Sequence, residues 1–169
     1  MDPLERIAPA FVEMAHRVVW ATAATVDAQG RPWTRVLHPL WSWDGETLTG
    51  IVATSPQSPK RAQLDVHPYI SFTYWQPDQD TCTAQCHATW DLSDEGRRAG
   101  WQALATAPPP VGYDPAVIPG WDEPTSPAFG ILRLTPWRLH VMPGTVMLAG
   151  RGEVLRWQDH NAASGSAVR

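Results

Sequence analysis

A basic surplus is the first thing this sequence lacks. Charged residues make up only 18% of it, and the formal net charge is −4 with a pI near 5.8. A chain that grips nucleic acid usually presents a basic face, so that class of partner is set aside. Long apolar runs are missing too: none approaches the ~18 residues needed to span a bilayer, and no membrane partner is expected. The opening Met-Asp-Pro-Leu-Glu-Arg lacks the basic-then-apolar order of a secretory leader, which makes a cytoplasmic protein the expectation. There is no Gly-x-Ser-x-Gly elbow and no Gly-x-Gly-x-x-Gly fingerprint, and the histidines (His16, His38, His67, His87, His140, His160) show no metal-site spacing.

Cysteine is also scarce. Cys82 and Cys86 are the only two, four apart in one predicted strand. Positions i and i+4 of a strand share a face but lie roughly 13 Å apart, so they cannot bridge each other. Two buried thiols in a reducing compartment is the reading that follows. Cys86 and His87 point to opposite faces of the strand and do not converge on an ion.

What the chain has in excess is tryptophan, 10, and proline, 17, in 169 residues. Tryptophan suits interfaces and the surroundings of planar ligands. The prolines mark element ends and one long segment.

The length fits one domain, expected over residues 1–160. Helical spacing of Leu4, Ile7, Ala8, Phe11, Val12 and Ala15 predicts a helix over Asp2–His16. Strands are predicted over Val18–Val26, Pro32–Trp43 and Thr47–Thr54, joined by turns at Asp27–Gly30 and Trp43–Glu46. A short helix, Lys60–Val66, stops at His67-Pro68, because the residue before proline avoids the helical region. Strands follow at Tyr69–Gln76 and Thr81–Leu92. Ser93 then caps a helix to about Ala105, with Asp94 and Glu95 in its first turn. Ala107–Pro127 is proline-rich and irregular, a length that suits a lid or an arm. Phe129–Thr135 and Trp137–Met142 read as two strands separated by Pro136, Glu153–Trp157 as a short one, and Asn161–Arg169 as a disordered tail. Consecutive strands with tight turns and few helices imply a mainly β protein, an antiparallel sheet closed as a barrel.

The chemistry concentrates between Arg31 and Trp75. Arg35 sits on a strand of apolar and small residues, where it either faces an anion or makes a surface ion pair. The loop Thr54-Ser55-Pro56-Gln57-Ser58-Pro59-Lys60-Arg61 gathers hydroxyls, amides and two cations at a helix start, a combination suited to a phosphate. His38 stands close enough to line the same pocket, and Trp41, Trp43, Trp75 and Trp90 serve as pocket walls or as core.

Arg-Val-Leu on a strand, an apolar strand ending in Thr-Ser, Ser-Pro-Lys with Gln-Leu, His-Pro, and an aromatic strand ending in Tyr-Trp together resemble the pyridoxamine 5′-phosphate oxidase-like FMN-binding split barrels. The resemblance covers roughly Val18 to Asp91. It implies a split β-barrel homodimer with its cofactor at the subunit interface. It matches Arg35 to the phosphate-binding arginine and Val36 and Leu37 to the strand along the isoalloxazine ring. Thr54 and Ser55 match the strand end beside the phosphate, and Lys60 the loop lysine. With Ser58, Arg61 and Trp75, these form the expected cofactor set. Departures accompany it: Pro59 stands where the oxidases carry arginine, Leu40 where they carry a second lysine. Trp137-Arg138-Leu139-His140 resembles their substrate motif only in isolation. The expectation is therefore a flavin- or deazaflavin-dependent oxidoreductase acting on a small planar substrate, with FMN, or alternatively F420, as cofactor. The competing readings are a non-enzymatic flavin- or haem-binding module and a cofactor-free structural barrel.

Overall fold

A computed structural model describes residues 1–159; the predicted tail and His160 lie outside the described residues. In chain order the elements are α1 (Leu4–Val18), β1 (Ala21–Val26), β2 (Pro32–Leu37), β3 (Leu40–Trp43), β4 (Leu48–Thr54), α2 (Lys60–Val66), β5 (Tyr69–Trp75) and β6 (Thr81–Asp91). They continue with α3 (Asp94–Thr106), a 3-10 turn at Pro115–Val117, β7 (Gly130–Met142), α4 (Gly144–Ala149) and β8 (Leu155–Gln158). Among the described residues no helix is long and apolar enough to cross a membrane.

All pairings are antiparallel, in the order β2-β1-β5-β6-β7-β4-β3, with β8 also on β7. The predicted single strand Pro32–Trp43 is two strands, broken at His38-Pro39. Proline lacks the N–H a ladder needs and biases the residue before it. The break has a topological result: β2 and β3 lie at opposite ends of the sheet path, yet two residues connect them. A sheet whose ends are that close has to curl into a barrel, left unpaired between β2 and β3.

β1, β5 and β6 alternate buried and exposed, and their inward residues fill the barrel: Ala21 and Ala23, Ile70, Phe72 and Tyr74, Cys82, Ala84 and Cys86. Small residues on β1 and β6 face aromatic ones on β5, which fits bulk into the taper. Helix α1 supplies Phe11, whose ring meets Trp41 at 5.0 Å and Tyr74 at 6.2 Å, both edge to face. Inside this cluster Trp41 Nε1 donates to the Tyr74 hydroxyl at 2.7 Å, so two buried polar groups satisfy each other.

Two further elements differ from expectation. β7 runs unbroken through Pro136, because the register with β6 shifts between Gln85 and Cys86 and the bulge absorbs the missing donor. β4 pairs with the first part of β7 and β8 with the last. Helix α4 carries no sequence prediction; it is six residues closed by Gly150 in the left-handed region.

Gly50 on β4 is required by close approach. A Cβ there would meet the Trp41 ring at 2.6 Å and Leu134 at 3.2 Å. Gly50→Ala is expected to destabilise the barrel by about 1–3 kcal/mol, the cost of overpacking, read as a lower urea midpoint at unchanged m-value.

Candidate functional site

β2 carries Trp33, Arg35 and Leu37 on one face, and Arg35 pairs in register with inward-facing Ala23. The side chain thereby meets the face of α2. Arg35 Nη1 donates to Thr25 Oγ1 at 2.6 Å and Nη2 to Gln63 Oε1 at 3.1 Å, while Thr25 donates to Gln63 at 2.5 Å. These partners are neutral. They orient the guanidinium and leave its charge uncompensated.

Lys60 lies one helical turn from Gln63 and is 7% exposed. Its Nζ donates to Ser58 Oγ at 2.6 Å, and Ser58 donates in turn to the Ser55 carbonyl at 2.7 Å. Burial first, and then the Arg35 charge, push the Lys60 ammonium down to about 8. Among the described residues no carboxylate pairs with Arg35 or Lys60. Two part-buried cations that face each other without a counter-charge are costly until an anion joins them. A cavity of about 290 Å³, lined by Trp33, Thr34, Arg35, Ser58, Pro59 and Lys60, is open to receive one. Trp33 is steadied by its indole N–H donating to Asp27 at 3.0 Å. Since α2 has only seven residues, it contributes side chains rather than a dipole.

The other sequence-derived candidates divide. Thr54 is buried at the end of β4, and Ser55 turns the chain by accepting from the Gln57 amide at 3.2 Å. Arg61 turns away from the cradle: it pairs with Asp65 at 3.1 Å and lies over the Trp90 ring at 5.5 Å. Trp75 sits on the outer face of β5, 55% exposed, donating to Gln79. Thr25 and Gln63, which hold Arg35, had no assigned role in sequence. Their signal lay in parity, Thr25 inward on an alternating strand and Gln63 three residues beyond Lys60.

Val36 and Leu37 line a second cavity, about 450 Å³, at the far end of β2. The proline-rich segment closes it with Tyr113 and Trp121, and His38 and Trp20 complete the wall. Trp20 is delivered by a tight γ-turn: Val19 holds φ 71° and ψ −63°, and the Trp20 amide donates to the Val18 carbonyl at 2.9 Å. A β-branched residue in that conformation costs on the order of 1–3 kcal/mol, strain of the kind held at functional sites.

No protein-family model and no curated relative matches the sequence. Solved structures do match in fold. A pyridoxamine 5′-phosphate oxidase-related, FMN-binding protein from Nostoc punctiforme is 22% identical, with a TM-score of 0.63 over 93% of this chain and 90% of its own. A protein from Clostridium acetobutylicum related to general stress protein 26, of the pyridoxinephosphate oxidase family, is 11% identical, with a TM-score of 0.68 over 94% and 96%. An F420 reductase is 16% identical, with a TM-score of 0.53 over 76% and 94%. The fold is that of the pyridoxamine 5′-phosphate oxidase-like split barrels.

Lys60 makes the cradle pH-sensitive. Above its pKa of about 8 the ammonium loses its proton, so inorganic phosphate should bind the free protein more weakly as pH rises from 7 to 9. Lys60→Arg, charged throughout, should flatten that fall in a calorimetric titration.

Proposed function

We propose that this protein is a flavin-dependent oxidoreductase of the pyridoxamine phosphate oxidase-like type, holding FMN between two subunits and reducing a small planar substrate. The observation that carries the reading is the Arg35–Lys60 pair, part-buried and facing each other without a carboxylate. A phosphate monoester dianion satisfies both cations and the Ser58 hydroxyl with charge-assisted hydrogen bonds. From that anchor the Val36–Leu37 stretch of β2 leads directly to the apolar cavity, where a ring system is shielded from water. Bound there, the flavin supplies the two-electron chemistry; the chain supplies orientation, electrostatics and a dry wall. The two cysteines fit a cytoplasmic setting, since burial pushes both thiols up and keeps them inert.

F420 is the second cofactor reading, and a solved F420 reductase shares the fold. Its acidic tail calls for a further basic groove. Arg61 is paired with Asp65, and Arg97 is occupied by Asp94 and by the Thr125 and Ser126 carbonyls. Of the three candidate arginines only Arg98, exposed on α3, is left without an ion pair; a single cation is a thin groove for an acidic tail, and this favours FMN.

A second copy of the chain fits the outer face of β2, β1, β5 and β6. In a chain with 17 acidic and 13 basic residues, the outward positions of these strands as far as Thr89 carry neither kind. Thr22, Val36, Ser71, Thr73 and Thr83 lie in adjoining rows there, with Tyr69 57% and Val36 62% exposed. A two-fold interface sets each patch near its own copy, and an uncharged face avoids like-charge repulsion. It adjoins the cradle, because Val36 follows Arg35 on β2.

Two measurements test the reading. Stripped protein titrated with FMN and F420 in parallel should show saturable FMN binding by fluorescence. Arg35→Ala should weaken it at least tenfold while the circular dichroism spectrum is unchanged. Equal saturable binding by variant and wild type would remove Arg35 from the anchor, and absence of FMN binding by wild type would leave the cofactor-free barrel as the answer. Sedimentation velocity should show a wild-type dimer and a monomer once Ser71 and Thr73 are both changed to Glu; a monomeric wild type removes the interface.

A further inference from the structure

Three alternate residues of β2 share one face: Leu37 at the apolar cavity, Arg35 in the cationic cradle, and Trp33 beyond it. Alternate positions of a strand lie about 6.6 Å apart, so Arg35 stands midway between an apolar cavity and an indole that are about 13 Å from each other along the strand. A phosphate uses Arg35, Ser58 and Lys60. The rest of the cradle's lining, Trp33, Thr34 and Pro59, carries no charge.

Trp33 is 46% exposed, yet it is held in place. Its indole N–H donates to Asp27 Oδ2 at 3.0 Å. The same carboxylate accepts Arg31 Nε on Oδ2 at 2.8 Å, and the Gln29 and Arg31 amides on Oδ1 at 2.9 Å each. The indole is thus tied by its only heteroatom to a carboxylate that the hairpin turn has already fixed, and what the side chain offers to solvent is aromatic carbon. A ring oriented in advance gives up little freedom when a flat group lies on it. Arg31 also pairs with Asp27, so the carboxylate does not stand as a bare negative charge beside bound phosphate.

We propose that the cradle continues into an adenine-stacking subsite on Trp33, and that the ligand it accommodates in full is flavin adenine dinucleotide. The isoalloxazine takes the apolar cavity, the pyrophosphate lies between Arg35 and Lys60, and the adenine rests on the indole. The inference rests on the preceding reading of the Arg35–Lys60 pair as a flavin-phosphate anchor and extends it by one nucleotide: FMN occupies two of the three stations and FAD all three. Charge does not separate the two cofactors. A phosphate monoester approaches two negative charges near neutral pH, and a pyrophosphate diester carries one on each phosphorus, so the same two cations serve either. The base separates them, because stacking on an aromatic side chain favours the ligand that has a base by about tenfold. Pro59 adds a second apolar surface to the same lining.

Two comparisons test this, both by calorimetry on the full chain stripped of cofactor. AMP and ribose 5-phosphate share phosphate and sugar and differ in the base. Wild type should bind AMP about tenfold more tightly, and Trp33→Leu should equalise the two. FAD should likewise exceed FMN by about tenfold in wild type. Trp33→Leu should bring the two flavins to one affinity, and Trp33→Phe, which keeps a ring, should recover part of the difference. Should the Leu variant not fold, the AMP and FAD preferences of wild type decide the matter. Equal affinities for AMP and ribose 5-phosphate, FAD no tighter than FMN, or a preference untouched by Trp33→Leu overturns the proposal. The cofactor reading fails differently: neither flavin binds while the AMP preference stands, which removes FAD with it and leaves a nucleotide site.

Discussion

Everything in this barrel depends on the short passage from Leu37 to Leu40. Two residues, His38 and Pro39, carry the chain from one end of the sheet path to the other. The intervening strands must then wrap until their ends almost meet. Wrapping creates an interior for Phe72, Tyr74 and the small residues of β1 and β6, and α1 stoppers it with Phe11. The same passage sets the candidate site. Arg35 lies just before it and His38 within it, so the cationic pocket and the apolar cavity are lined by successive residues of the chain.

The charge distribution follows the same division. Carboxylates serve turns and surface pairs: Asp27 accepts from the Gln29 and Arg31 amides and the Trp33 indole, and Asp80 accepts from Arg17 and the Gly144 amide. Near Arg35 and Lys60 the partners are hydroxyl and amide oxygens instead. A neutral partner orients a cation without neutralising it, which leaves the electrostatic field available to a ligand. A neighbouring Asp in place of Thr25 would hold Arg35 as firmly and abolish its use.

Much of this was legible in sequence where local rules govern. The hairpin turn at Asp27–Gly30, the stop at His67-Pro68 and the Ser93 cap, which accepts from the Gly96 amide at 3.0 Å, each depend on a few adjacent residues. The break at His38-Pro39 and the continuity through Pro136 were not legible. Identical proline chemistry ended one strand and was tolerated in another, and the difference lies in a bulge of β7 itself, where Trp137 is the extra residue beside Pro136. The site divided likewise. Residue type and order pointed to Arg35 and Lys60. Arg61, although adjacent to Lys60, points roughly 100° around the helix and finds Asp65 and Trp90. Thr25 and Gln63 acquire meaning only once β1 and α2 are packed together.

Cys82 and Cys86 are the only cysteines, and both thiols point inward from β6 with no exposed surface. β6 is held by β5 on one edge and β7 on the other, so neither sulfur meets solvent through fraying of an end. Thiol modification therefore clocks the opening of the barrel itself. A cysteine introduced on the surface would react against a silent background, so one reagent reports surface labelling on a fast timescale and global unfolding on a slow one.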